Sequence, residues 1–112
     1  MAYRTLNPLV ITIDHAAPGA VTATLTRPLI VVDAIGAVTT PAAVATSFRV
    51  SGPGGNITDA ISLGNNADHA LGRAGSIADA NRLITAGANV TSTLTGAGTA
   101  ARSTIICIDG GS

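Results

Sequence analysis

Asn89-Val90-Thr91-Ser92-Thr93-Leu94-Thr95, followed beyond Gly96-Ala97-Gly98 by Arg102-Ser103-Thr104-Ile105-Ile106-Cys107-Ile108-Asp109, is the stretch on which the fold turns. Val90, Ser92 and Leu94 alternate with Thr91, Thr93 and Thr95, the period of a strand with one face buried and the other wet. The β-branched residues are stiff at the first side-chain torsion and suit a pleated surface. Gly96 and Gly98 supply turn conformations. The two runs therefore read as a β-hairpin with a loop of about six residues.

The same pattern extends toward the N-terminus. Val21, Ala23 and Leu25 alternate with Thr22, Thr24 and Thr26, and Leu9 to Asp14 (LVITID) is a further strand. Leu29 to Asp33 is almost continuously apolar, as a central strand buried on both faces would be. Ala34 to Thr46, broken by Gly36 and Pro41, reads as a loose connection, with an edge strand within it as the alternative. Ser47 to Ser51, the Gly52-Pro53-Gly54-Gly55 turn and Asn56 to Leu63 continue the series. Ser76 to Ile84 is the one plausible helix, with Ser76 as cap and Ile77, Ala80 and Ile84 on one stripe; an edge strand at Arg82 to Thr85 is the alternative. The tally is about seven or eight short strands, which predicts an all-β fold, a single antiparallel β-sandwich of jelly-roll type. Residues 1–8 read as an extended arm, 9–109 as the sandwich and 110–112 as a mobile tail.

Composition narrows the function. The chain has 112 residues, enough for one domain, with formal net charge zero and 11% charged residues. Every basic residue is Arg and every acidic one Asp, with no Lys, Glu or Gln. Those missing types normally fill exposed helix faces. A neutral chain lacks the clustered basic face of a nucleic-acid binder. It also has little charge to keep a monomer apart from its neighbours, which favours assembly. No window approaches the ~18 apolar residues of a spanning helix, and no secretion signal is visible at the N-terminus. The expectation is synthesis in a cytoplasm, with no membrane partner.

The candidate motifs resolve into structural roles. Gly96-Ala97-Gly98-Thr99-Ala100-Ala101 matches G-x-G-x-x-A, but that fingerprint needs a following helix to face a pyrophosphate, and a strand follows here. Asp14-His15 and Asp68-His69 are candidate metal ligands, yet neighbours on a strand point to opposite faces. Asn65-Asn66-Ala67-Asp68 could meet sugar hydroxyls or calcium. Asn56-Ile57-Thr58 and Asn89-Val90-Thr91 fit the glycosylation sequon and read as strand starts. Cys107, the single cysteine, lies in an apolar run and reads as a buried small hydrophobe. No catalytic residue, cofactor or metal is expected.

The Gly52 to Thr58 turn and strand, the run from Thr85 to Ile108 and the Ala/Thr/Gly/Val-rich, Lys-free composition resemble small bacteriophage head decoration (cement) proteins. The resemblance implies a jelly-roll subunit on the outer capsid surface of a virion, assembled in the host cytoplasm. It implies a homo-oligomer, often a trimer, that reinforces the major capsid protein. No functional motif carries over residue by residue. Tyr3 and Arg4 in the arm are the candidate partner contacts, since both types are enriched at binding hot spots. The alternative function is a carbohydrate-binding, lectin-like jelly-roll module.

Overall fold

The computed structural model describes residues 10–65, 71–78 and 80–110. The elements in chain order are β1 (Val10–His15), β2 (Gly19–Thr24), β3 (Leu29–Thr40), β4 (Ala45–Gly52), β5 (Gly55–Asn56), β6 (Ile61–Asn65), β7 (Leu71–Arg73), β8 (Leu83–Ile84), β9 (Asn89–Thr95) and β10 (Ala100–Asp109). The chain folds back on itself at the Gly52 to Gly55 turn. β4 pairs with β5 and β6, β3 with β7 and β8, β2 with β9, and β1 with β10, all antiparallel. This long ribbon wraps so that one sheet runs β1-β10-β3 with β7 and β8 at its far edge. The other runs β2-β9-β4 with β5 and β6 beyond. The β10–β3 and β9–β4 pairs close the two sheets. Nested pairing of this kind, wrapped into two sheets, is a jelly roll.

The all-β sandwich agrees with the sequence reading, and β9 buries Val90, Ser92 and Leu94 as its alternation requires. Several local expectations do not hold. β9 and β10 are not a hairpin: they lie in different sheets, and the Gly96 to Thr99 turn carries the chain across the sandwich. Val90 and Leu94 thus share one core with Ala101 and Ile105 from the opposite sheet. Alternation defines each strand but is silent on its neighbours.

β3 continues through the expected connection as far as Thr40, because Ala34, Gly36 and Val38 keep facing inward. The expected strand Asn56 to Leu63 is split into β5 and β6. Thr58 turns its hydroxyl to accept the Val50 N–H at 3.1 Å and to donate to the Asp59 carbonyl at 2.8 Å, which lifts the chain out of the ladder. The expected helix over Ser76 to Ile84 is absent among its described residues. Ile77 bridges to Thr58, and Leu83 and Ile84 form the short strand on β3 that was the alternative. Among the described residues the strands therefore number ten rather than seven or eight. The arm at residues 1–8 lies outside the described residues, as do 111–112; the Gly110 N–H donates to the Pro28 carbonyl at 3.0 Å.

The core sits between the sheets, and among the described residues its apolar side chains are aliphatic apart from Phe48 of β4 and Cys107 of β10. Its ring lies against Gly36 of β3, where any Cβ would collide with the ring edge. Gly72, paired with Gly36, makes similar room for Leu63 and the Ser62 carbonyl of β6. Overpacking a filled core typically costs about 1–3 kcal/mol. Gly36→Ala should therefore destabilise the domain by about that amount, measured by urea unfolding. The same change made with Phe48→Leu should cost distinctly less, because the colliding ring edge is gone.

Candidate functional site

Three places carry side chains that could act on something other than the core. The first is the outer face of the β1-β10-β3 sheet. Alternation along β10 turns Arg102, Thr104, Ile106 and Ile108 outward, and β3 turns out Ile30, Val32 and Ile35. The registers set Ile108 beside Ile30, Ile30 beside Leu83 and Ile106 beside Val10. A slip in the β10–β3 ladder between Ile106 and Cys107 adds Val32 to the same end. Val10, Val32, Leu83 and Ile108 are 39 to 50% exposed. Solvent thus meets a contiguous aliphatic surface at one end of this face.

The other end of the face is polar and internally neutral. Arg102 forks onto Asp14 with its Nε 2.5 Å from Oδ1, and this bond and charge raise its pKa. Arg73 Nε donates to Asp33 Oδ2 at 2.7 Å, while Asp33 Oδ1 accepts the Ala34 N–H. Exposed pairs of this sort contribute little to stability. They do leave these four charges paired within the subunit.

The second place is the outer face of the β2-β9-β4 sheet, which is lined with hydroxyls. Thr22 and Thr91 lie Oγ1 to Oγ1 at 3.1 Å, and the Thr24 hydroxyl donates to Asn89 Oδ1 at 2.7 Å. Arg49 stands opposite Thr93, and Ser47 opposite Thr95. These four residues, with Phe48, Asn56 and Ala60, line an open groove of about 400 Å³, Phe48 being 2% exposed there.

The third is buried. His15 of β1 places Nε2 2.9 Å from Ser92 Oγ of β9, and Ser103 Oγ of β10 lies 3.0 Å from the same oxygen. His15 is 3% exposed and Ser92 is fully enclosed. A histidine and a serine at this distance resemble a nucleophile pair, but no substrate can reach this hydroxyl. The cluster ties the two sheets together. His15 Nδ1 has no hydrogen-bond partner among the described residues. Burial lowers the His15 pKa below 6.5, and the charge of Asp14 opposes that shift.

The sequence-level candidates fall as follows. Asp14 and His15 separate to opposite faces of β1, the first to Arg102 and the second into the core. Among the described residues no group of His, Cys or Asp side chains could hold a metal ion. Tyr3, Arg4, Asp68 and His69 lie outside the described residues, as do Asn66 and Ala67. Cys107 is buried, and burial pushes its thiol up to about 11. The Gly96 to Ala101 motif is a turn with left-handed glycines, closed by a Thr99 hydroxyl bond to the Gly96 carbonyl, and β10 follows it. The aliphatic surface escaped detection because its residues look like core residues in sequence.

No protein-family model matches the sequence, and no curated protein does. Among solved structures the chain is similar to a chain of the acidic stable capsid structure of Helicobacter pylori bacteriophage KHP30. The two share 14% identity over 91% of this chain and 87% of that one, with a TM-score of 0.56. It is also similar to Drosophila NLP-core, at 12% identity over 89% and 98% of the two chains with a TM-score of 0.49. A third is CsCBM6-3 from Clostridium stercorarium in complex with cellobiose, at 13% identity over 88% and 73% with a TM-score of 0.46. The first likeness is one of fold, and the other two are too distant to add to it. The chain is a jelly roll of the architecture seen in that phage capsid.

The lowered His15 pKa has a measurable consequence. On acidification the unfolded chain takes up a proton near 6.5 before the folded chain does, so stability is fully present above that value and declines below it. Thermal unfolding followed by circular dichroism should show the melting temperature falling from about pH 7 to about pH 5. His15→Leu should remove most of that slope.

Proposed function

We propose that the chain is a structural virion protein that self-associates and lies on a capsid surface, reinforcing the shell through protein–protein contacts. One observation carries this reading: the aliphatic end of the outer β1-β10-β3 face. Apolar surface left to water costs roughly 25 cal/mol per Å² relative to burial, and contiguous patches of this kind mark interaction sites. The neighbouring ion pairs are already satisfied within the subunit, so a partner can approach without meeting like charge. The jelly-roll fold in common with a chain of the KHP30 capsid structure supports the same reading. So does a chain with so few charges.

Light scattering on the purified protein should give a mass well above that of one chain. Replacing Val32, Leu83 and Ile108 together by Thr keeps the strand preference while removing apolar surface. That variant should move to the monomer with an unfolding free energy within about 1.5 kcal/mol of the parent. A parent that is strictly monomeric and binds no capsid would sink the proposal. Tyr3 and Arg4 enter as contacts of the arm with the shell. Deleting residues 1–8 should weaken capsid binding and leave the melting temperature in place.

A second reading, a carbohydrate-binding module, is favoured by the hydroxyl-lined groove on the β2-β9-β4 face. A glycan array is its direct test. The two readings use opposite faces of the sandwich.

A further inference from the structure

We infer that the groove on the β2-β9-β4 face is a site for a carboxylate-bearing saccharide, with Arg49 as its anchor. The inference rests on the carbohydrate-binding reading of that face and names the ligand class. Arg49 is distinguished by what it lacks. Arg73 and Arg102 are paired with Asp33 and Asp14, and Arg27 and Arg82 also have partners. Among the described residues, Arg49 alone of the arginines has a side chain with neither an ion pair nor a hydrogen bond. It sits in the groove, across the ladder from Thr93.

The surroundings of Arg49 suit a sugar. Ser47, Thr93 and Thr95 present hydroxyls that both donate and accept, as the vicinal hydroxyls of a saccharide require. Threonine on a strand is already restricted in its rotamers, so ordering it on binding costs little. The rim is held in place, since Asn81 Nδ2 donates to the Asn56 carbonyl at 2.9 Å. A groove of about 400 Å³ is of the size that accepts a small ligand.

Charge decides which sugar. Phe48, the one aromatic among the described residues, is buried with its ring against Gly36, so the groove offers no stacking platform. Hydroxyl contacts alone exchange one set of hydrogen bonds for another with water and gain little. A carboxylate on the sugar changes that balance, because a guanidinium fork grips it through two parallel charge-assisted bonds.

Isothermal titration calorimetry of the full chain with an oligogalacturonate, and with its methyl ester, tests the assignment. The ester keeps every hydroxyl and removes the charge. The acid should bind at least about tenfold tighter than the ester, since a bond to a charged group is worth that much or more. Arg49→Gln should lose about the same factor, Arg49→Lys should retain part of it, and neither should shift the melting temperature. Equal binding of acid and ester would overturn the inference while leaving a neutral-sugar reading of the groove intact. Binding of neither would overturn both. An acidic peptide of equal charge binding as tightly as the oligosaccharide would reassign Arg49 to a protein contact.

Discussion

The contact on which the sandwich depends is the Phe48 ring seated against Gly36. Two packed sheets stand about 10 Å apart, and side chains from both must fill that space. Here the apolar filling is almost wholly Val, Ile, Leu and Ala, with a single aromatic among the described residues to span the gap. Phe48 does so only because β3 carries no side chain where the ring arrives. Gly36 is thus a space-making residue within a strand, and Gly72 beside it lets β7 lie close to β6. That seat fixes how β3 crosses β4, and with it which side chains of the longest strand turn inward and which turn out.

The two outer faces that result are chemically unlike. On the β1-β10-β3 side, the central strands are aliphatic on both faces, so burial of one leaves Ile30, Val32, Ile106 and Ile108 looking outward with Val10 and Leu83. A strand apolar on both sides expects a cover on each. On the β2-β9-β4 side, alternation leaves mainly hydroxyls, with small alanines, an amide and Arg49 among them. The first face has hydrophobic surface to bury; the second has directional hydrogen bonding to offer. A protein with so few charges can bring either against a neighbour without desolvating an unpaired ion, Arg49 excepted.

Between these faces the core contains a polar cluster that spans both sheets. His15, Ser92 and Ser103 bring β1, β9 and β10 together through two hydrogen bonds. Buried polar groups are tolerated when they are satisfied, and this cluster leaves one ring nitrogen without a partner among the described residues. Protonation there would place a cation among apolar side chains. The cluster therefore links the cohesion of the two sheets to pH, independently of either outer face.

Much of this was readable from local pattern. Period-2 runs of Val, Thr and Ile located most strands and the all-β class, and adjacency on a strand was enough to show that Asp14 and His15 diverge. Glycine and proline positions marked the turns at Gly52 to Gly55 and at Gly96 to Gly98. The splitting of Asn56 to Leu63, the continuation of β3 through Gly36 and the strand at Leu83–Ile84 were not readable, because each answers to a contact that strand periodicity does not encode. The same holds for the Ile30, Ile106, Ile108 and Leu83 surface, whose members are indistinguishable from core residues until their partners are known. Alternation is a property of a few consecutive residues and appears in the sequence directly. Pairing is not: β9 joined β2 and β4, and β10 joined β1 and β3, so that the apolar faces of the two sheets bury one another, which depends on strands far apart in the chain.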